Sequence, residues 1–250
     1  MEEKKRIKLY GLIGRNIDYS FSKDFFKEKF KKENILNSCY IDFDINKIDD
    51  FRKLLKKEKL SGLNVTIPYK RSIIQFLDEI DDDAKKIGAV NTLVFKKNRK
   101  ITGYNTDCYG FEKALLETTK QKPKGALILG TGGASAAVSY VLNKIKIPFK
   151  LVSRKPKLNQ IHYEELNNKI IKNNTLIINT TPLGTYPKIE NCPNIPYSIL
   201  NETHYLFDLI YNPKTTLFLK KGSEKGAKIQ NGNRMLIYQA EKSWELWNNI

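Results

Sequence analysis

Lys70 closes the run Asn64-Val65-Thr66-Ile67-Pro68-Tyr69-Lys70, in which apolar residues alternate with Asn64 and Thr66. That alternation marks a strand, and Pro68 cannot extend a central ladder but suits the first turn of a following helix. Thr66 and Lys70 are therefore predicted near the strand's carboxyl end, where ligands bind in α/β sheets. An oxygen on which negative charge develops during a reaction needs a cation and a proton source beside it. Lys70 offers both, because a lysine is ordinarily protonated at neutral pH. His162 and His204 are the only histidines and neither sits in a motif. Most lysines are simply solvated; position after NVTIP is what separates Lys70 from the others.

Two further polar groups point the same way. The strand-like runs AVNTLVF and ITGYNT flank the turn KKNRK, a hairpin pattern. Centring the turn on Arg99 pairs Asn91 with Asp107, so Asn91, Asn105, Thr106 and Asp107 form a polar cluster too hydrophilic for simple core. Ser20 and Ser22 lie in the loop after YGLIG, where two hydroxyls can bind an anion such as a carboxylate. Ser22 reads equally as the N-cap of a helix over KDFFKEKF.

A cofactor signal stands in the second half. Gly130, Thr131, Gly132, Gly133 and Ala134 follow the apolar run ALIL and open the small-residue stretch AAVSYVL. Glycines between strand and helix let backbone amides approach a pyrophosphate at the helix N-terminus. The third fingerprint position is Ser135 rather than Gly or Ala, and a glycine turn used only for close packing is the alternative. An NAD site would carry an acidic residue about 20 positions further on. This chain has Ser153, Arg154 and Lys155 there, a hydroxyl and two cations suited to a 2′-phosphate, which favours NADP. Ordinary solvated charge is the competing reading of Arg154 and Lys155.

The elements that must position these groups follow an alternating rhythm. Apolar runs at Ile7 to Ile13, Tyr40 to Ile45 and Leu63 to Ile67 are each followed by an amphipathic segment, which predicts βαβ units and a largely parallel sheet. A second series begins at Ala126: ALILG, a helix from Gly133, KLVSR, a helix near Tyr163, TLIINTT, HYLFDLIY and AKIQNG. Between them, TKQKPKG at 119–125 reads as a domain boundary. From Gly232 to Ile250, apolar residues recur at helical spacing.

Composition bounds the rest. With 250 residues and 40% hydrophobic content the chain can bury substantial cores, and no apolar run is long enough to cross a bilayer. The start MEEKKRIKLYGLIG lacks a signal-peptide pattern. Cys39, Cys108 and Cys192 are odd in number and lack metal-ligand spacing, which predicts free thiols in a reducing cytoplasm, no disulfide and no metal. The net charge of +17 invites a nucleic-acid reading. The lysines, however, recur as pairs along the whole chain rather than in one arm, so no nucleic-acid surface is expected, although the field favours anionic ligands.

Taken in order, Tyr10-Gly11-Leu12-Ile13-Gly14 with Ser20 and Ser22, NVTIPYK, IGAVNTLV, NTDCYGF, ILGTGGAS, NTTPLG, FDLIYNP and NRMLIYQA span almost the whole chain. The series resembles the signature of the shikimate dehydrogenase family. The resemblance implies an α/β protein with an N-terminal substrate-binding α/β domain and a Rossmann-type dinucleotide-binding domain, the active site lying in the cleft between them. Residues 1–118 would form the substrate and catalytic domain, with helix 233–250 packing back on it, and 119–232 the NADP domain. It implies reversible reduction of 3-dehydroshikimate by NADPH on the route to aromatic amino acids, by a cytoplasmic monomer or homodimer that binds small molecules but neither nucleic acid nor membrane. Carried over, Ser20 and Ser22 would bind the carboxylate with Tyr211 nearby, and Thr66, Asn91, Asp107 and Gln239 the ring hydroxyls. Lys70 would be the acid/base, oriented by Asp107. Gly130, Thr131, Gly132, Gly133 and Ala134 would bind pyrophosphate, and Ser153 and Arg154, with Lys155 adjacent, the 2′-phosphate. Thr180, Leu209 and Gly232 would border the nicotinamide. The chain departs from the family's pattern at Asn16, Tyr19 and Lys23, where a Pro, a His and a second Pro are usual, and at Ser153, where Asn is usual. A quinate or broader dehydrogenase, or a noncatalytic NADP-binding protein, would share this scaffold.

Overall fold

A computed structural model describes residues 7–17, 20–98, 100–119 and 121–249, so Tyr19 and Arg99 lie outside the described residues. The chain divides into two compact units, Met1–Thr106 with Ala240–Ile250 and Asp107–Gln239. The first begins with β1 (Lys8–Gly14), α1 (Phe21–Lys32), β2 (Ser38–Asp44), α2 (Asp50–Lys57) and β3 (Leu60–Val65). It continues through β4 (Glu79–Ile80), α3 (Asp82–Ile87), β5 (Thr92–Phe95) and β6 (Ile101–Tyr104). These strands form one sheet in the order β2-β1-β3-β5-β6-β4.

The expected βαβ rhythm holds for β1, β2 and β3, which are parallel. Beyond β3 the sheet is mixed: β5 runs antiparallel to both β3 and β6, while the short β4, for which the sequence carries no clear pattern, pairs parallel with β6. The hairpin is also shifted from the expected register. Thr92 faces Tyr104 and Phe95 faces Ile101, so the centre falls at 98 rather than Arg99. Asn91 consequently lies beside Asn105, and Asp107 is not in the strand at all but in the first turn of α4 (Thr106–Thr118). Nor does a helix start directly at Pro68; the chain turns there and winds into a 3-10 helix over Ser72–Phe76.

The second unit contains β7 (Ala126–Leu129), α5 (Gly133–Lys144), β8 (Phe149–Ser153), β9 (Gln160–His162), α6 (Asn168–Asn173) and β10 (Leu176–Asn179). It ends with β11 (Tyr205–Asp208), α7 (Leu217–Ser223) and β12 (Lys228–Gln230). Strand order is β12-β11-β10-β7-β8-β9 and every pairing is parallel. In chain order that is 3-2-1-4-5-6 read from the β9 edge, the doubly wound dinucleotide-binding arrangement. β7 and β10 are buried along their whole length, which is why ALIL and LIIN read as near-continuous apolar runs rather than alternating ones. The helix expected near Tyr163 is a 3-10 turn, Tyr163–Glu165, followed by the short α6, whose N-cap Asn167 accepts from the Ile170 N–H.

The last helix, α8 (Asn233–Asn248), carries both tryptophans of the chain, Trp244 and Trp247. Each turns its ring into the first sheet. Trp247 packs on Tyr10 and Phe26 with ring centroids 5.0 and 5.3 Å apart, and Trp244 sits 5.3 Å from both Tyr10 and Phe30. The Trp247 indole N–H donates to the Leu93 carbonyl at 3.0 Å, fixing the helix along its axis. Gly62 makes this contact possible, since a Cβ there would lie 2.5 Å from three indole atoms. Gly62→Ala is therefore expected to overpack the site and cost about 1–3 kcal/mol. Urea unfolding followed by tryptophan fluorescence reads this unit directly, and an unchanged midpoint would refute the clash.

Candidate functional site

Strand direction gathers the first unit's polar candidates at one edge. β1 and β3 are parallel and end together, Ile13 opposite Val65, so the Ser20 loop and Thr66 emerge side by side. The Thr66 N–H donates to Ile13 O at 2.9 Å, and Gly14 leaves room for the Thr66 methyl, which a Cβ at Gly14 would meet at 2.6 Å. β5 is antiparallel to β3, so its first residues begin where β3 stops. The Asn91 carbonyl accepts from the Val65 N–H at 2.8 Å, and the Val90 N–H donates to Lys70 O at 2.8 Å. Thr66, Lys70 and Asn91 are thus tied together by backbone hydrogen bonds.

Of the two serines, Ser20 rather than Ser22 is the N-cap of α1, its Oγ accepting from the Ser22 N–H at 3.2 Å. Ser22 lies in the first turn, and its hydroxyl hydrogen-bonds the Tyr40 phenol. The reason is local: Ser20 is extended, at φ −67 and ψ 125, while the residues after it are helical. Ahead of it, Asp44 accepts from the N–H groups of Asn16 and Ile17 at 3.1 and 3.3 Å. Asn16 has φ +56, a conformation proline cannot adopt.

Behind the edge lies a buried polar knot. Tyr40 Oη donates to Asn64 Oδ1 at 2.9 Å, and Asn64 Nδ2 donates to Thr92 Oγ1, Ser243 Oγ and Asn91 O at 3.1, 3.0 and 3.2 Å. Asn91 Oδ1 accepts the Thr106 N–H at 2.6 Å, and Asn91 Nδ2 donates to Thr106 Oγ1 at 3.0 Å. The Asn105 amide donates to Ala89 O at 2.9 Å, which makes it a brace for the turn. Tyr40, Thr92 and Ser243 were not among the sequence candidates. Thr92 adjoins the candidate Asn91 in sequence, but Tyr40 and Ser243 come from β2 and α8, and only the tertiary fold brings them in.

In the second unit, Asp107 and Gln239 are both nearly buried. They belong to α4 and α8, whose backbones touch: a Cβ on Gly110, one turn after Asp107, would lie 2.5 Å from Met235 O and 3.0 Å from Gln239 N. The glycine loop follows β7 at the point where the strand order reverses, beside β10. Gly130 has φ +106 and lies against Thr180, whose hydroxyl donates to Leu129 O at 2.7 Å. A Cβ added at Gly132 or Gly133 would meet nothing within 4 Å, so the turn opening α5 is free on that side. At the end of β8, Ser153 accepts from the Lys155 N–H at 3.2 Å, and Arg154 and Lys155 are exposed. Free amides at a helix start, a tight glycine and a basic, acid-free loop suit a phosphorylated dinucleotide.

Leu209 and Gly232 meet at the ends of β11 and β12. A Cβ on Gly232 would lie 2.1 Å from Leu209 O, and the Gly232 N–H donates to Ile210 O at 3.0 Å. Tyr211, half-buried, follows directly. This edge is braced by Asp208, another residue not among the sequence candidates. Its carboxylate accepts from Asn179 Nδ2 at 3.0 Å, the Ile210 N–H at 3.1 Å and the Thr216 hydroxyl at 2.6 Å.

The fold and these two polar edges define a two-unit α/β protein with a doubly wound nucleotide-binding half. Comparison with known proteins narrows the class. A family profile described as the shikimate dehydrogenase substrate binding domain matches residues 12–93. Proteins called shikimate dehydrogenase (NADP(+)) from Methanococcus aeolicus and Clostridium beijerinckii are 40% and 41% identical, covering 98% and 96% of this chain and 93% and 92% of their own. The crystal structure of shikimate 5-dehydrogenase from Thermus thermophilus in complex with NADP(H) and shikimate superposes with a TM-score of 0.86 at 26% identity, covering 98% of this chain and 94% of that one. The chain belongs to the shikimate dehydrogenase family.

Burial pushes the Asp208 carboxyl up to about 6, against the opposing effect of its hydrogen bonds from Thr216, Ile210 and Asn179. A folded value above the unfolded one means that Asp208's contribution to stability is complete below the unfolded value of about 3.9 and is lost as pH rises through about 6. Asp208→Asn does not titrate. Its melting temperature relative to the parent is expected to rise between pH 4 and pH 7, and a pH-independent difference would contradict the burial.

Proposed function

We propose that this chain reversibly reduces 3-dehydroshikimate to shikimate with NADPH, on the route to aromatic amino acids. One observation carries the reading: strand register sets Thr66, Lys70 and Asn91 at a single edge of the first sheet, with Asp107 next in the chain after Thr106, which Asn91 holds. NADPH, when bound, supplies the hydride. Gly130, Thr131, Gly132, Gly133 and Ala134 hold its pyrophosphate, Ser153, Arg154 and Lys155 its 2′-phosphate, and Thr180, Leu209 and Gly232 border its nicotinamide end. Family membership and the basic loop after β8 support this choice of cofactor.

Ser20, Ser22 and Tyr211 bind the substrate carboxylate. Thr66, Asn91, Asp107 and Gln239 bind the ring hydroxyls. Lys70 polarises the ketone and delivers a proton to the oxygen as negative charge builds there; in the reverse direction it takes that proton back. In functional terms, residues 1–118 with 233–250 form the substrate half and 119–232 the cofactor half. Asp107 and Gln239 fall with the substrate half because their ligand is substrate, although α4 and the start of α8 pack in the second compact unit. The protein works in the cytoplasm as a monomer or homodimer on small molecules, without nucleic acid or membrane.

The direct test is reduced-nicotinamide absorbance with shikimate and NADP, then with NAD and with quinate in place of each. Turnover favouring quinate would reassign the substrate, and none with any pair would reject catalysis. Lys70→Ala is expected to lose most turnover while substrate binding stays within about tenfold, because its role lies in the transition state. Normal turnover in that variant would remove Lys70 from the mechanism. Arg154→Ala should raise the KM for NADPH far more than that for NADH; equal effects would end the case for 2′-phosphate recognition.

A further inference from the structure

We infer that Ser243, on the last helix, is a positioning residue that sets the affinity for shikimate by fixing the side chain of Asn91 through Thr106 and Thr92. The inference rests on the assignment of Asn91 to a ring hydroxyl. An amide can bind a ligand with either end, and here the fold chooses. The Thr106 N–H donates to Asn91 Oδ1 at 2.6 Å, and because an N–H cannot accept, that atom must be oxygen and the other end a donor. Asn91 Nδ2 then donates to Thr106 Oγ1, while Thr92 Oγ1 lies 3.2 Å from Asn91 Oδ1. The amide oxygen is thus held by a main-chain N–H, and the two threonine hydroxyls complete the amide's orientation.

Ser243 fixes both. Its Oγ is fully buried, 2.8 Å from Thr92 Oγ1 and 3.1 Å from Thr106 Oγ1, and it accepts from Asn64 Nδ2 at 3.0 Å. Asn64 is itself oriented, since the Tyr40 phenol donates to its oxygen. Tyr40 thus donates to Asn64 and Asn64 to Ser243, Ser243 lies within hydrogen-bond distance of both threonine hydroxyls, Thr92 Oγ1 donates to Asn91 Oδ1 and Asn91 Nδ2 donates to Thr106 Oγ1, so the six residues form one connected network. Removing the serine hydroxyl strands no buried donor, because Asn64 Nδ2 retains Thr92 Oγ1 and Asn91 O as acceptors. What is lost is one of the bonds that constrain the Thr106 and Thr92 rotors. Ser243 also lies four residues after Gln239 in α8, on the same helix face, so the side of the helix assigned to substrate continues into this knot.

The experiment compares steady-state kinetics and melting for Ser243→Ala, Asn91→Ala and Trp247→Phe. Ser243→Ala is expected to raise the shikimate KM by about five- to tenfold, leaving kcat and the NADP KM within about twofold, as for a change confined to substrate positioning. Trp247→Phe, which loses the bond to Leu93 O but spares the knot, is the structural control and should lower the melting temperature without moving the shikimate KM. An unchanged shikimate KM in Ser243→Ala, alongside a raised one in Asn91→Ala, overturns the inference alone. An unchanged KM in Asn91→Ala overturns the ligand assignment beneath it. Equal rises in both KM values, or a rise reproduced by Trp247→Phe, overturns positioning in favour of general loosening. Should Ser243→Ala fail to fold, Thr92→Val against Thr92→Ser reads the same hydroxyl chain. The valine variant alone is expected to raise the shikimate KM, and equal behaviour of the pair overturns the inference.

Discussion

Asn64 is an amide in the buried middle of a sheet, and the first unit is arranged around satisfying it. A buried amide left without partners costs about 1–3 kcal/mol, more than one formed bond returns. Asn64 finds its acceptor-side partner on β2, its donor-side partners on β5 and α8, and a carbonyl at Asn91. Each of those elements is held in register by the need to present that partner, because a slip of one residue in a strand turns every side chain to the opposite face. Once Tyr40, Thr92 and Ser243 are in place, the chain ends that project from the same edge are in place too. Thr66, Lys70 and Asn91 owe their proximity to that register.

The nucleotide-binding half solves a similar problem at the ends of β7, β10, β11 and β12. Here the organising group is a carboxylate, Asp208, receiving a side-chain amide from β10, a hydroxyl from the start of α7 and a main-chain N–H from the loop that carries Tyr211. The glycines complete the job by removing bulk. Gly232 can pass under the Leu209 carbonyl only without a Cβ, and Gly130 turns back against Thr180 at a φ that other residues rarely adopt. The ends of β7, β10, β11 and β12 are consequently drawn close together.

Much of this was legible in the sequence because it depends on local rules. The glycine turn between ALIL and AAVSYVL, the acid-free end of β8, the alternation through NVTIP and the hairpin around KKNRK are read from neighbours a few residues apart. The misreadings were of two kinds. Backbone dihedrals decided some: Ser20 rather than Ser22 caps α1 because Ser20 is the extended residue, and the hairpin centre moved to 98 because the turn Lys96 N–H closes on Lys100 O. Long-range partnership decided the others. Nothing within ten positions of Ser243 announces that its hydroxyl will meet Thr92 and Thr106, and nothing near Asp208 announces Asn179. The mixed character of the first sheet likewise follows from β5 lying antiparallel between β3 and β6, not from any strand's own pattern.

The two polar centres differ in a way that suits their positions. The knot around Asn64 is built from amides, aliphatic hydroxyls and a phenol whose ionisation burial and the neighbouring Asp42 oppose. None of these changes charge near neutrality, so the geometry they impose on Asn91 does not vary with pH there. An ionisable group in that place would make the knot's geometry vary with pH. Asp208 is such a group, and it stands instead behind the strand ends of the second unit, fully buried and bonded to three donors. What it orders there is backbone: the N–H of Ile210 and, through Asn179, the turn leading to Thr180 and Thr181. Neutral groups orient the side chains at the polar edge of the first unit; a charged one shapes the loops at the strand ends of the second.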